Sequence, residues 1–501
     1  MSIRITGMNS GMDTDSMVQE LVKAYRTKGD TYTKSKTKTE WKQEAWTDLN
    51  KKIRNFQSKY VANMQYSTYY NKKATTVSDS TKASVVTAEN AVNGTQTLEV
   101  TSLAKAGYLT GGKLAKGTTS ATTLSDLGFT GGSTTITLNK GVKNEDGTYD
   151  EEPITFDVSG DTKISDFVSY VSSAGYNASF DESNGRLFIS SKQSGADNNF
   201  SFDESDANAK AALDALGLTS DAGGIKVEGS NARIVLNGAE FESNNNTFSV
   251  NGLTITAKEI TDGEISIATD TDYEGIYNDI KSFIKDYSDL INEMDKLYNA
   301  ESAGSYEPLT DEEKEALPDS EVEKWEKKVK DALLRRDSDL GTIFNTFKNT
   351  MLDTYEVGGE TYSLSSFGIN TLGYFVAGDY EKNAYHIDGN PDDDKTSGNP
   401  DKLKAAIAAN PEAVSGFFQK LSKSLYDQMS KLSTSTSNRS YGNFFDDKKY
   451  KSDISKWETK ITKWEDYVTD VEDRYYDQFT KMEKAMATLN SQQSYLSGLF
   501  G

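Results

Sequence analysis

Read for apolar spacing alone, the chain has helical ends and a strand-rich middle. Asp13-Thr-Asp-Ser16 supplies N-cap candidates ahead of Val18, Leu21 and Tyr25, whose helical spacing predicts a helix beginning near residue 14. After a polar stretch at 27–40, Ala45, Leu49, Ile53, Phe56, Tyr60 and Met64 recur at steps of three or four and predict a second, amphipathic helix. The far end is more regular. Ile454, Trp457, Ile461, Trp464, Val468, Val471 and Tyr475 alternate steps of three and four, which is a heptad seam. Tyr475 to Phe479 repeats a step of four, as in a stutter that locally unwinds a supercoil, and Met482, Met486 and Leu489 then resume the pattern. A helix over residues 448–496 is expected.

Between the ends, residues 74–272 are rich in Thr, Ser, Gly and Asn, and segments such as Ile154-Thr-Phe156-Asp-Val158 and Leu253-Thr-Ile255-Thr alternate as strands do. Asn184-Gly185, Asn237-Gly238, Asn251-Gly252 and Asp262-Gly263 predict hairpin turns, because glycine tolerates the positive φ such turns need. A helix at 163–174 (Ile164, Phe167, Val168, Val171), followed by strands at 176–180 and 186–190, predicts a small α/β unit inside this region. Ile276, Ile280, Ile284, Tyr287, Ile291 and Met294 then share one helical face over 273–298, with further helices around 322–335 and 340–355 and a helical segment carrying Leu403 and Phe417. Residues 388–400 are a loop by composition. All six prolines lie between 153 and 411, so both ends lack the strongest helix breaker.

The expected fold is α+β and multidomain: a helical stalk or coiled coil formed by both termini, with β-rich domains inserted between them. The expected divisions are a terminal coiled-coil segment at 1–40 with a flexible start, and its returning helix at 448–501. A helical domain takes 41–73 and 273–447, a β-rich domain 74–106 and 230–272, and an inserted α/β outer domain 107–229.

Charge changes this picture in one respect. The net charge is −22, yet residues 1–73 hold 14 Lys and Arg against 7 Asp and Glu, so the remainder is about −29. A basic helix pairing with an acidic one explains the imbalance better than nucleic acid or a membrane surface does. Nucleic acid and membrane insertion are therefore not expected as partners. There is no cysteine, which excludes disulfides, thiolate nucleophiles and Cys-ligated zinc. The start, Met1-Ser-Ile-Arg-Ile-Thr-Gly-Met-Asn-Ser-Gly11, lacks the apolar run of a signal peptide, and no stretch approaches 18 apolar residues, so export by another route is expected.

Chemistry is sparse. His386 is the only histidine, in Asn383-Ala-Tyr-His-Ile-Asp388, and it reads as a surface or core residue; no Gly-x-Ser-x-Gly elbow and no Walker or Rossmann glycine loop occurs. Asp392-Asp-Asp394 and Asn144-Glu-Asp-Gly147 read as solvated acidic loops, the latter failing the EF-hand pattern because Val142 takes its first ligand position. No catalytic residue, cofactor or metal is expected. What stands out is aromatic: Trp41, Trp46, Trp457 and Trp464, four of the five tryptophans, lie on the terminal helices. Val18, Leu21, Tyr25, Trp41, Trp46, Trp457, Ile461, Trp464, Val468, Met486, Leu489 and Leu496 are the expected assembly surface.

Several segments have the character of a known family. Gly11-Met-Asp-Thr-Asp-Ser16-Met-Val18 and Glu40-Trp-Lys-Gln-Glu44-Ala-Trp46-Thr-Asp-Leu-Asn50 resemble the amino terminus of the flagellar hook-associated protein 2 family. Trp325-Glu-Lys-Lys-Val with Leu334-Arg-Arg-Asp337, Arg474-Tyr-Tyr-Asp-Gln-Phe-Thr-Lys-Met-Glu483 and Leu489-Asn-Ser-Gln-Gln-Ser-Tyr-Leu496 are similar to that family's pattern as well. Residues 164–180 with Arg186-Leu-Phe-Ile-Ser190 resemble, less specifically, a small module of hook and filament proteins. The resemblance implies a secreted, non-enzymatic cap at the distal tip of the bacterial flagellar filament, exported through the flagellar type III route by an uncleaved amino terminus. As partners it implies copies of itself in a ring, flagellin, whose folding and insertion the ring promotes, and a flagellar export chaperone. Two alternatives remain beside it: an adhesin whose outer domains bind host surface glycans, and a hydrolase in the β insertion using paired carboxylates.

Overall fold

The computed structural model describes residues 11–141, 153–373 and 375–500, with side chains to 498. The first ten residues and the acidic loop at 144–147, with Val142, lie outside the described residues. The chain forms two compact units, one from residues up to Tyr70 and from Tyr273 onward, the other spanning Asn71–Asp272.

In the first unit, the amino-terminal segment is a single helix, Thr14–Phe56, where two helices separated by a polar stretch were expected. Asp13 caps it, its carboxylate accepting the Ser16 amide at 3.0 Å. The polar stretch stays helical because Tyr32 within it packs on Trp457 and Trp464 of the carboxy-terminal helix, while its hydroxyls are satisfied by bonding back along the helix: Thr27 to the Lys23 carbonyl at 3.0 Å, Ser35 to Thr31 at 2.7 Å and Thr39 to Ser35 at 2.8 Å. Polarity there marks a helix that leans on a partner, not a break. The helix continues through a π turn at Gln57–Val61.

Its second half enters a large core shared with helices Tyr273–Tyr298, Ser338–Leu352 and Pro411–Leu432. Trp46, Ile53, Phe283, Tyr287, Phe347 and Phe417 are almost fully buried in it. The last two of these helices start at polar caps: Asp337 accepts the Asp339 and Leu340 amides, and Asn410 accepts the Ala413 amide ahead of Pro411. The carboxy-terminal helix runs Asp447–Phe500, slightly beyond the expected 448–496.

The second unit contains two cores. One lies between a five-stranded antiparallel sheet (Lys73–Val77, Ile265–Thr271, Gly94–Ser102, Ala232–Leu236, Ala239–Ser243) and a three-stranded one (Thr247–Val250, Leu253–Ala257, Ala83–Thr87). Leu98, Val100, Ile234, Ile255, Phe248 and Ile267 fill it. The other core collects Leu109, Ile136, Phe167, Leu187, Ile189 and Phe200 beneath two small sheets and helices Ile164–Ser173 and Ala207–Ala215. Chain passes between the cores twice, and the two passages pair through reciprocal bonds between Lys105 and Ser230 at 2.9 and 3.0 Å. Asn184-Gly185, Asn237-Gly238 and Asn251-Gly252 join paired strands. Asp262-Gly263 does not: the strands on either side of it, Leu253–Ala257 and Ile265–Thr271, belong to different sheets, so this turn carries the chain across the sandwich.

Candidate assembly interface

The long terminal helices pack antiparallel. Tyr25 meets Tyr467 with ring centroids 6.0 Å apart, Tyr32 lies against Trp464 at 5.8 Å and Trp457 at 6.3 Å, and Trp46 stacks on Phe445 at 5.5 Å. A small core of Val18, Val22, Val471 and Tyr476 closes the far end.

On the amino-terminal helix the inward positions follow an unbroken four-three alternation: Val18, Val22, Tyr25, Gly29, Tyr32, Lys36, Thr39, Gln43 and Trp46 are all buried or half-buried. Val22, not the expected Leu21, occupies the seam, and Leu21 is 44% exposed. Leu21 instead faces outward beside the pair. The missing side chain at Gly29 leaves room for the Trp464 indole, which donates to the Tyr25 carbonyl at 2.8 Å. Lys28 lies over the Trp464 ring at 4.6 Å, and Lys460 lies over Tyr32 and Trp457 at 4.4 and 4.9 Å, cations covering aromatic faces that the pair leaves open.

Charge pairing is broader than a basic helix against an acidic one. Arg26 reaches Glu472 at 3.2 Å and Lys36 reaches Glu458 at 3.3 Å on the carboxy-terminal helix. Lys34, Lys42, Lys52 and Lys59 instead pair with Glu313, Asp337, Glu293 and Asp286 at 2.6–2.9 Å. Partial burial pulls the Lys36 ammonium down, but the carboxylates of Glu458 and Glu40 outweigh it and hold its pKa above the ordinary lysine value.

The twelve expected assembly residues therefore separate by place. Val18 and Trp46 are fully buried within the chain, so neither offers surface to a second copy. Tyr25, Trp41, Trp457, Ile461, Trp464 and Val468 are half-buried along the helix pair, with Lys330 Nζ 4.3 Å over the Trp41 ring. Met486 is half-buried, and Leu489 and Leu496 are 63% and 53% exposed on the last turns. Spacing alone missed Gly29 and Asn50, whose buried amide oxygen accepts the Phe444 amide at 2.8 Å and whose amide nitrogen donates to Asn443 at 3.3 Å. Asp337 was within a quoted motif, but its double duty as helix cap and Lys42 partner is visible only in three dimensions.

Other chemistry is confined. His386 Nδ1 lies 2.6 Å from Asp393 and its Nε2 3.8 Å from Glu381, tying the 388–400 loop to the strand Tyr385–Ile387. Among the described residues no group of three or more His, Asp or Glu could hold a metal ion, and no helix is long and apolar enough to cross a membrane.

A family model described as "Flagellar hook-associated protein 2 C-terminus" matches residues 229–491, over half of the chain, and one described as "Flagellar hook-associated protein 2 N-terminus" matches 10–107. The chain belongs to the flagellar hook-associated protein 2 family. It is 24% identical over 450 residues to flagellar hook-associated protein 2 of Halalkalibacterium halodurans, covering 82% of this chain and 78% of that one. To flagellar hook-associated protein 2 of Escherichia coli K12 it is 26% identical over 527 residues, covering 100% and 98%. The crystal structure of the flagellar cap protein FliD D1-D2-D3 domains from Escherichia coli shares the fold, with a TM-score of 0.52 at 21% identity over 82% of this chain and 99% of that one. The two hook-associated protein 2 models leave residues 108–228 unmatched, the stretch that contains the α/β core.

Proposed function

We propose that this protein is the cap at the distal tip of the flagellar filament, a secreted, non-enzymatic ring of identical chains that promotes folding and insertion of exported flagellin. Family membership supports the reading, as does the word "cap" in the name of the related Escherichia coli structure. The observation that carries it is the last third of the carboxy-terminal helix. Its apolar stripe continues through Met486 to Leu489 and Leu496 past the region covered by the helix Thr14–Phe56, and large apolar side chains exposed at that spacing fit helices of neighbouring chains. A flagellar export chaperone is a second partner for such a stripe before assembly. The test is light scattering on the full-length chain and on one lacking residues 1–40 and 450–501, followed by filament growth in a strain deleted for the gene. A defined ring-sized oligomer from the full-length chain alone supports the cap. Normal filaments in the absence of the protein would end it.

A second reading rests on the four-stranded sheet of the α/β core. Tyr108, Phe188, Ile225 and Val227 are all exposed there, and the strand register puts them on one face. Such a face favours an added adhesive role for residues 107–229, with surface glycans as the ligand class. Deleting 107–229 separates the roles: attachment lost with filament growth retained supports adhesion, and attachment retained excludes it.

A further inference from the structure

The chain contains four Asn-Gly steps, at Asn93, Asn184, Asn237 and Asn251. In this dipeptide the glycine amide nitrogen meets no side-chain obstruction and can attack the asparagine Cγ. Whether it does so in a folded protein depends on whether the asparagine side chain is free to swing toward it.

Two of the four steps form a matched pair. Asn237-Gly238 joins Leu236 to Ala239, and Asn251-Gly252 joins Val250 to Leu253, each a two-residue turn between directly paired strands. Their backbones are nearly the same, with φ of 49° and 80° in the first and 48° and 80° in the second. Their side chains are not. Asn237 Oδ1 accepts the Thr97 amide at 3.0 Å and its Nδ2 donates to Gln96 at 3.1 Å, so both ends of the amide are tethered. Asn184 Nδ2 donates to Asp181 at 2.6 Å, and Asn93 Nδ2 to Asp270 at 3.3 Å. Asn251 is exposed and its side chain makes no hydrogen bond among the described residues.

We infer that Asn251 is a self-modifying site, the first of the four asparagines to convert spontaneously to aspartate and isoaspartate. The Gly252 nitrogen forms a bond to Asn251 Cγ and loses its proton to base. The Cγ–Nδ2 bond breaks and the side-chain nitrogen leaves as ammonia, giving a cyclic imide. Water then adds to either imide carbonyl and opens the ring to aspartate or isoaspartate, with no oxidation or reduction. The isoaspartate product inserts a carbon into the backbone of a turn that has no slack: the Gly252 carbonyl accepts the Ala88 amide at 2.8 Å, and a Cβ at Gly252 would lie 2.8 Å from the Ala91 nitrogen. That clasp holds the glycine carbonyl and leaves its amide available. Conversion therefore loosens the three-stranded sheet from its turn end, an ageing step written into the β sandwich.

The experiment is incubation of the full-length chain in mildly alkaline buffer, with peptide mass mapping of all four sites and enzymatic methylation to detect isoaspartate. Asn251 should convert about ten-fold faster than Asn237, the factor given by about 1.4 kcal/mol of side-chain tethering. In urea the two rates should converge, because the tethers are lost. Gln96→Ala should speed Asn237 several-fold, and Asn251→Asp should abolish ammonia release at that turn. Equal rates at Asn237 and Asn251 in the folded chain would overturn the assignment, as would conversion at Asn93 or Asn184 ahead of Asn251.

Discussion

Trp464 occupies the space that a side chain at Gly29 would need: a Cβ there would stand 3.1 Å from the indole Cδ1. Helix propensity favours alanine over glycine by about 1 kcal/mol, while a contact this short forces the indole to retreat by a few tenths of an ångström. Gly29→Ala is therefore expected to leave the stability of the helix pair within about 1 kcal/mol of the parent. Gly29→Leu should expel the indole and break its bond to the Tyr25 carbonyl, read as a shift of the Trp464 indole N–H resonance; an unmoved resonance would contradict the packing described.

Trp46→Ala removes a fully buried ring stacked on Phe445, and should cost about 3–5 kcal/mol by loss of transfer energy and cavity formation. Chemical denaturation should show the helical unit melting earlier while Asn71–Asp272 keeps its own transition, since its cores contain no residue of the Trp46 cluster.

Leu489→Glu combined with Leu496→Glu should leave helix content unchanged, as both side chains are largely exposed, yet abolish oligomers in light scattering. Charged substitutions at Trp457, Ile461 and Trp464 should act differently, freeing the amino-terminal helix and disrupting assembly before the β unit unfolds. Normal filaments from either set would remove the terminal helices from the assembly surface.

Arg26 and Glu472 should couple weakly. Arg26 is about half exposed, so a double-mutant cycle is expected to give no more than about 1 kcal/mol, falling as salt is added. A larger coupling would mean that charge, rather than the aromatic seam, holds the helices together.

Asp181 gives a pH prediction. The Ser183 hydroxyl and then the Asn184 side-chain amide bond to its carboxylate and lower its pKa from 3.8 to about 2. Because the folded value is depressed, its contribution is present above 3.8 and is lost as pH falls toward 2. Carboxyl chemical shifts should show the 181–186 turn intact until that window, and Asp181→Asn should erase the transition.

Legibility in the sequence followed how each position earns its burial. Residues 45–64 were readable because nearly every inward position is apolar. The preceding half of the same helix was not, because Gly29, Lys36, Thr39 and Gln43 fill inward positions while Trp457 and Trp464 supply the apolar area from across the pair. Asp262-Gly263 misled for a related reason: a period of two identifies strands but not the sheet each one joins. The seam on the carboxy-terminal helix and its pairing with the amino-terminal segment were legible, but the individual contacts were not, since no local pattern states that Lys36 meets Glu458 while Lys52 meets Glu293. Burial of Val18 and Trp46 likewise needed three dimensions, because a heptad position looks the same whether its partner is the same chain or another.

The bonds joining the first helix to the last span 439 residues from Tyr25 to Trp464 and 446 from Arg26 to Glu472. Closing so large a loop costs only slightly more entropy than closing a moderate one, but it cannot begin until the second partner exists in the same space. A chain that emerges amino end first, from a ribosome or through a narrow channel, must therefore carry Gly29 and its neighbouring aromatics without their partner until Trp464 has cleared the exit. The helix Thr14–Phe56 thus completes its packing only once the helix Asp447–Phe500 is present beside it.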